Sequence, residues 1–166
     1  IATASRAIEK DCNLIATHHP ASYGGISNID VTKTAQGQAI TKCIKNGISV
    51  ISMHLNFDAA PNGIDENLML GLGGKTCQTL VNVNGGAYGR AYNIQPLNLE
   101  NYLTQIKKEF ATERVICHGK DGRTVKKVAS FCGAGLDDEA VAFCKKQAVD
   151  VAVSSDLSQH RIAELF

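Results

Sequence analysis

The feature that most constrains this chain is a regular alternation of short apolar runs with stretches of helical periodicity. Residues 13–17, 48–53, 114–117, 126–131 and 149–153 have the length and character of strands, the first of them a buried one. Residues 5–10, 34–45, 66–72, 100–110, 137–147 and 157–166 carry helical spacing. Ala35, Ala39, Ile40 and Cys43 share one face of the second helix, and Asn46-Gly47 supplies its stop. The helix at 137–147 has acids in its first turn and lysines in its last, as the helix dipole favours. Residues 78–95 read as strand, loop, strand around Gly85-Gly86-Ala87-Tyr88-Gly89. Strands alternating with such helices predict an α/β fold with mixed, at least partly parallel sheets.

A faint internal echo accompanies the alternation. The helix-to-strand unit ending in Asn13-Leu14-Ile15-Ala16-Thr17-His18 resembles the one ending in Asp150-Val151-Ala152-Val153-Ser154. Two related α/β units, 1–97 and 98–166, would account for it, and so would chance similarity between short strands. The chain opens on Ile1-Ala2-Thr3 without Met and stops within a helical pattern, so a fragment of a longer protein is expected.

Composition narrows the class. At 166 residues and 44% apolar, the chain can bury a core in one large domain or two small ones. No apolar run approaches the roughly 18–20 residues of a membrane span. The net charge of +1 predicts no general affinity for nucleic acid or anionic membrane. Residues 107–127 are locally basic, which a solvated face explains. The 6 cysteines, at 12, 43, 77, 117, 132 and 144, form no CxxC pair. Their mostly apolar surroundings predict buried free thiols in a reducing compartment, by default the cytosol, and no signal peptide is visible.

The sharpest group of polar residues is His18-His19 at one strand end with His54 and Asp58 at the end of the next. Open α/β sheets build their sites beyond the carboxyl ends of strands. Imidazole and carboxylate together suit zinc, iron, manganese or a similar divalent ion. Adjacent residues of an extended backbone point to opposite sides, so His18 and His19 would serve two neighbouring ions better than one. Asp58 would then bind one ion or bridge both. The rival reading has the histidines capping a strand and Asp58 opening the turn before Pro61.

Other motifs carry less. Gly71-Leu72-Gly73-Gly74-Lys75-Thr76 ends like a phosphate loop, but Met69 stands where that motif needs Gly. Gly133-Ala134-Gly135 lies between strand and helix, with Asp138 where a dinucleotide fingerprint needs its third Gly. A tight turn accounts for it, and an anion-binding nest is the alternative. Cys117 and His118 alternate across a strand and make no dyad, and His160 reads as a surface or packing residue.

Asn13-Leu14-Ile15-Ala16-Thr17-His18-His19-Pro20, Gly24-Gly25, Asn46-Gly47-Ile48-Ser49-Val50 and His54-Leu55-Asn56-Phe57-Asp58-Ala59-Ala60 together resemble the Nif-three-like family, some of whose members are called GTP cyclohydrolase I type 2. Gly89-Arg90, Val128-Ala129, Cys132-Gly133-Ala134-Gly135 and Asp150-Val151 to Asp156-Leu157-Ser158 extend the likeness over essentially the whole chain. The resemblance implies an α/β fold with a two-metal site, in members that often assemble as toroidal hexamers. It implies His18, His19 and Asp58 as metal ligands, with His54 touching the ligands or the substrate. Two further family ligands belong to a Gly-His-x-x-Thr-Glu segment beyond the part matched here, and the family's Trp-Asp-Asn stretch is also absent. Weak or single-metal binding by residues 1–166 alone is therefore expected.

Two functions follow as expectations. One is a divalent-metal hydrolase resembling GTP cyclohydrolase I type 2. It would hold up to two zinc, iron or manganese ions per full-length subunit, act on a nucleotide or another small heterocycle, and use His54 as a proton shuttle. The other is a non-catalytic regulatory or protein-interaction module that retains the metal site. Either would be a cytoplasmic homo-oligomer.

Overall fold

A computed structural model describes residues 1–166 except Tyr23, Gly25, Ser27, Lys120 and Phe166, and omits the side chains of Arg161, Glu164 and Leu165. Gly25 of the Gly24-Gly25 loop, Lys120 of the basic stretch and Phe166 of the last helix thus lie outside the described residues. The chain divides into two compact units, Ile1–Phe57 and Asp58–Phe166.

The first unit contains α1 (Ala2–Glu9), β1 (Leu14–Thr17), α2 (Ala35–Lys45) and β2 (Ser49–Ser52). β1 and β2 are parallel, with Leu14 opposite Ser49 and Thr17 opposite Ser52. Parallel neighbours need a long crossover, and α2 supplies it. α2 starts where the Thr34 side chain accepts the Gly37 N–H at 3.0 Å, satisfying an amide that has no partner within the helix. It stops at Asn46, and Gly47 turns the chain at φ 64°, a left-handed conformation suited to glycine. Ala4, Ala7, Cys43 and Ile48 form the core, with Ile15 packed against it. β1 is therefore not the buried strand expected from its sequence, since Leu14 is exposed, as are Val50 and Ile51 on β2. This small core engages only alternate residues of β1.

α3 (Leu55–Ala59) spans the junction between the units. The second unit continues with α4 (Ile64–Gly71), β3 (Cys77–Val83), β4 (Gly86–Asn98), α5 (Leu99–Glu109), β5 (Thr124–Phe131), α6 (Asp138–Lys146), β6 (Val151–Ser154) and α7 (Gln159–Leu165). Its sheet has the order β3-β4-β5-β6, antiparallel in the first two pairings and parallel in the last. The mixed α/β architecture is the one the alternation predicts. Asn84 and Gly85, both at positive φ, close the β3–β4 hairpin as an Asn-Gly pair does. Gly86 to Gly89, read as loop from sequence, begin β4 instead.

Alternation along β4 and β5 divides the second unit's core. Tyr92 and Val128 join Met69, Leu72, Tyr102 and Ile106, so α4 and α5 cover one face. Ala91, Ala129 and Phe131 join Ala140, Val141, Phe143 and Cys144, so α6 covers the other. This is helix, sheet, helix layering around a shared sheet.

The compact units meet at Phe57/Asp58, whereas the sequence reading divides the chain at 97/98. β4 crosses that position and stays paired with β5 on both sides of it, through Leu97 with Val125 and Asn98 with Thr124. The strand expected at 114–117 does not form, and Ile116 is 84% exposed. Its apolar pattern is satisfied only by Val115, which packs against the α4–α5 core. Among the described residues no helix is long and apolar enough to cross a membrane.

Candidate metal centre

The parallel register of β1 and β2 decides where the histidines stand. Thr17 opposes Ser52, and the Met53 N–H donates to the Thr17 carbonyl at 2.8 Å. The next residues along both strands, His18-His19 and His54, therefore leave the sheet side by side at its carboxyl end. Their donor nitrogens all lie within 4.8 Å of one another. The ring centres of His18 and His19 are 4.9 Å apart, those of His18 and His54 also 4.9 Å, and those of His19 and His54 5.2 Å.

The expectation that His18 and His19 point to opposite sides is corrected here. That argument holds for an extended strand, but β1 ends at Thr17 and the chain bends at both histidines. Freed from the pleat, the two rings tilt by only 42° and converge. Neighbouring histidines can then address one ion.

Imidazole orientation is set as a metal ligand requires. His18 Nδ1 lies 2.9 Å from the Met53 carbonyl oxygen. A carbonyl only accepts, so Nδ1 is the donor of this bond and Nε2 is the nitrogen through which His18 would ligate an ion. Such a bond to a backbone carbonyl is the usual support of a metal-binding histidine, holding both tautomer and ring plane. Donors bound at zinc distances stand about 3.3 Å apart in a tetrahedron. Three imidazoles inside a 4.8 Å limit reach that arrangement with small side-chain adjustments. The donor set thus fits a divalent cation.

His54, expected from the resemblance to touch ligands or substrate, is geometrically as eligible a donor as the other two. Asp58 was expected at a strand end. It lies instead on α3, is 7% exposed and belongs to the second unit. The helix begins because the Phe57 N–H donates to the His54 carbonyl at 2.9 Å, closing a turn directly after the strand.

Sequence reasoning passed over two features. The Met53 carbonyl that orients His18 has no side-chain signature at all. Asp65 is the second: fully buried, it accepts the Gly89 N–H at 2.9 Å, the Cys132 N–H at 3.1 Å and Arg90 Nε–H at 3.2 Å. It ties α4 to β4 and to the end of β5. An acid near a helix start is the only local signal, and it looks like any first-turn carboxylate. Cys132-Gly133-Ala134-Gly135 is a tight turn, with the Gly133 carbonyl accepting from Ser154 Oγ at 2.9 Å and from Ser155 N–H at 3.1 Å.

Fold and site together define an α/β protein whose parallel strand ends present a histidine cluster suited to a divalent ion. Comparison with known proteins gives the family and the fold. The Duf34/NIF3 (NGG1p interacting factor 3) family matches residues 1–165, and the chain belongs to that family. A GTP cyclohydrolase 1 type 2 homolog of Clostridium acetobutylicum is 30% identical over 165 residues, 95% of this chain and 60% of that protein. The Bacillus cereus protein related to NIF3 superposes with a TM-score of 0.84 at 17% identity, over 99% of this chain and 72% of that one. Staphylococcus aureus hypothetical protein SA1388 gives 0.80 at 21% identity, over 98% and 66%. At those identities the two structures speak for fold alone.

Proposed function

We propose that this chain carries the histidine donors of a divalent-metal hydrolase acting on a nucleotide or another small heterocycle. The observation that carries the reading is the convergence of His18, His19 and His54 within 4.8 Å, with His18 oriented by the Met53 carbonyl. The name of the Clostridium relative, which the chain spans for 60% of its length, supports the substrate class. A bound zinc, iron or manganese ion supplies Lewis-acid polarisation of an electrophilic carbon. His18 and His19 hold the ion through neutral imidazole nitrogens. His54 either completes that set or moves a proton at the reacting atom. Asp58 enters only as the carboxylate ligand that the family resemblance implies; were it to bind, its charge would offset the strong repulsion between two divalent ions. Homo-oligomerisation and a cytoplasmic setting belong to the same proposal.

Elemental analysis after zinc loading and gel filtration tests it. About one ion per chain is expected for residues 1–166, lost in a His18→Ala/His19→Ala double variant and reduced in Asp58→Asn. A panel of nucleotides should then show turnover that follows metal content in the family-length protein. Unchanged zinc in the double histidine variant would sink the site. Full metal loading without turnover of any purine or pyrimidine nucleotide would favour the second reading, a non-catalytic interaction module. The family description, which names an interacting factor, independently favours that reading.

A further inference from the structure

Phe57 stands next to the histidine cluster and has no role in the metal reading. Its ring centre lies 6.3 Å from that of His18, with the planes at 68°, an edge-to-face pair at the usual separation of aromatic neighbours. Its backbone N–H donates to the His54 carbonyl, so the residue is anchored to the strand end that carries the cluster. Yet Phe57 is 47% exposed. An isolated exposed phenyl is ordinary. This one belongs to an exposed apolar rim with Met53 and Leu55, interleaved with His54 along one short stretch of chain. Phe110, the other large exposed aromatic among the described residues, instead lays its ring over Gly71, where an added Cβ would stand 2.7 Å from Phe110 Cζ.

We infer that Phe57 is the stacking platform of the site, selecting planar heteroaromatic ligands by offering a phenyl face beside the imidazole nitrogens. A flat ring stacked on the phenyl would lie beside the histidine cluster, since the Phe57 and His18 ring centres are 6.3 Å apart. A sugar phosphate without a base gains nothing from the contact. The inference rests on the metal-site reading and narrows it, assigning recognition of the base to a residue that binds no ion.

The chain contains no Trp, so Phe57→Trp creates a lone fluorescent reporter. With the zinc-loaded chain, GTP and ATP are expected to quench its emission by stacking, and inorganic tripolyphosphate to leave it unchanged. Phe57→Ala should weaken GTP binding about tenfold, the loss expected for one base-stacking contact, with zinc stoichiometry retained. Absence of quenching by either nucleotide would overturn the inference, as would equal quenching by tripolyphosphate. Emission already blue-shifted and inaccessible to iodide would also overturn it, because the position would be covered by protein. The metal reading fails separately: quenching by GTP that persists when His18→Ala/His19→Ala leaves zinc content unchanged would remove the histidine site and keep the platform.

Discussion

Asp65 is fully buried in the second unit and accepts hydrogen bonds from Gly89, Cys132 and Arg90. Burial raises its carboxyl above the ordinary 3.8, and the Arg90 guanidinium and the two amide donors oppose that rise. Removing one partner of such a pair strands the other charge, at a cost of about 3–5 kcal/mol. Asp65→Ala is therefore expected to lower stability by about that amount in urea unfolding. A loss below about 1 kcal/mol would mean that Arg90 finds water in the variant. Buried thiols make a second prediction at this scale. Desolvation pushes Cys132 up to about 12 and Cys144 to about 11, from 9.0, and burial likewise raises Tyr88, Tyr92 and Tyr102. These groups hold their protons more tightly when folded. Their contribution is complete below pH 9 and is lost as pH rises from there through the folded values of 11–12. The urea midpoint should thus be lower at pH 10 than at pH 7.5, and equal midpoints would contradict the assignment. All six cysteines are free, as expected, but Cys12 and Cys117 are exposed rather than buried. In native protein these two should alkylate well before Cys43, Cys132 and Cys144.

At the scale of elements, helix ends show where local rules were followed and where they were broken. Thr34, Asn98 and Asp137 each accept a backbone N–H at the start of α2, α5 and α6. Capping involves residues within one turn, yet the sequence reading takes Thr34 and Asp137 as the first helical residues and passes over Asn98. The exits of α5 and α6 are different, with Ala111 at φ 47° and Ala148 at φ 51°. A Cβ in the left-handed region costs about 1–2 kcal/mol, and glycine removes that cost while adding unfolded-chain entropy. Ala111→Gly and Ala148→Gly should each stabilise by about 0.5–1 kcal/mol in thermal or urea melts, and destabilisation would show that these methyls pack usefully. Gly86 follows the opposite logic: an added Cβ would collide with the Ala59 carbonyl, so the hairpin and the segment after α3 depend on its lacking a side chain. No single-element rule exposes that requirement, because Ala59 and Gly86 meet only in the folded unit.

Across the whole molecule the two units differ in what holds them. The first relies on Ala4, Ala7, Cys43 and Ile48, which are small or few, whereas the second buries two apolar clusters against a four-stranded sheet. Local stability follows buried apolar contact. Amides of β1 and β2 are accordingly expected to exchange with deuterium faster than those of β4 and β5. Zinc at about 100 times its Kd should stabilise the histidine-bearing unit by about 2.7 kcal/mol and slow exchange in β1 and β2. Protection that appears first in β5, with β1 and β2 unmoved, would place the ion elsewhere.

Sequence alone determined most of the element order, the mixed α/β class and the strand ends at which the histidines stand. Periodicity, caps and turn residues act over a few positions, and parallel strands must present their carboxyl ends together. Only the tertiary structure decided that His18 and His19 converge, because the bend after Thr17 removes the alternation that strand geometry would impose. The same holds for Ile116, left without a strand partner, and for Asp58 and Asp65, placed in the interior. Burial and pairing are set by groups distant in the chain, and an apolar run or an aspartate is locally the same whether or not those groups arrive.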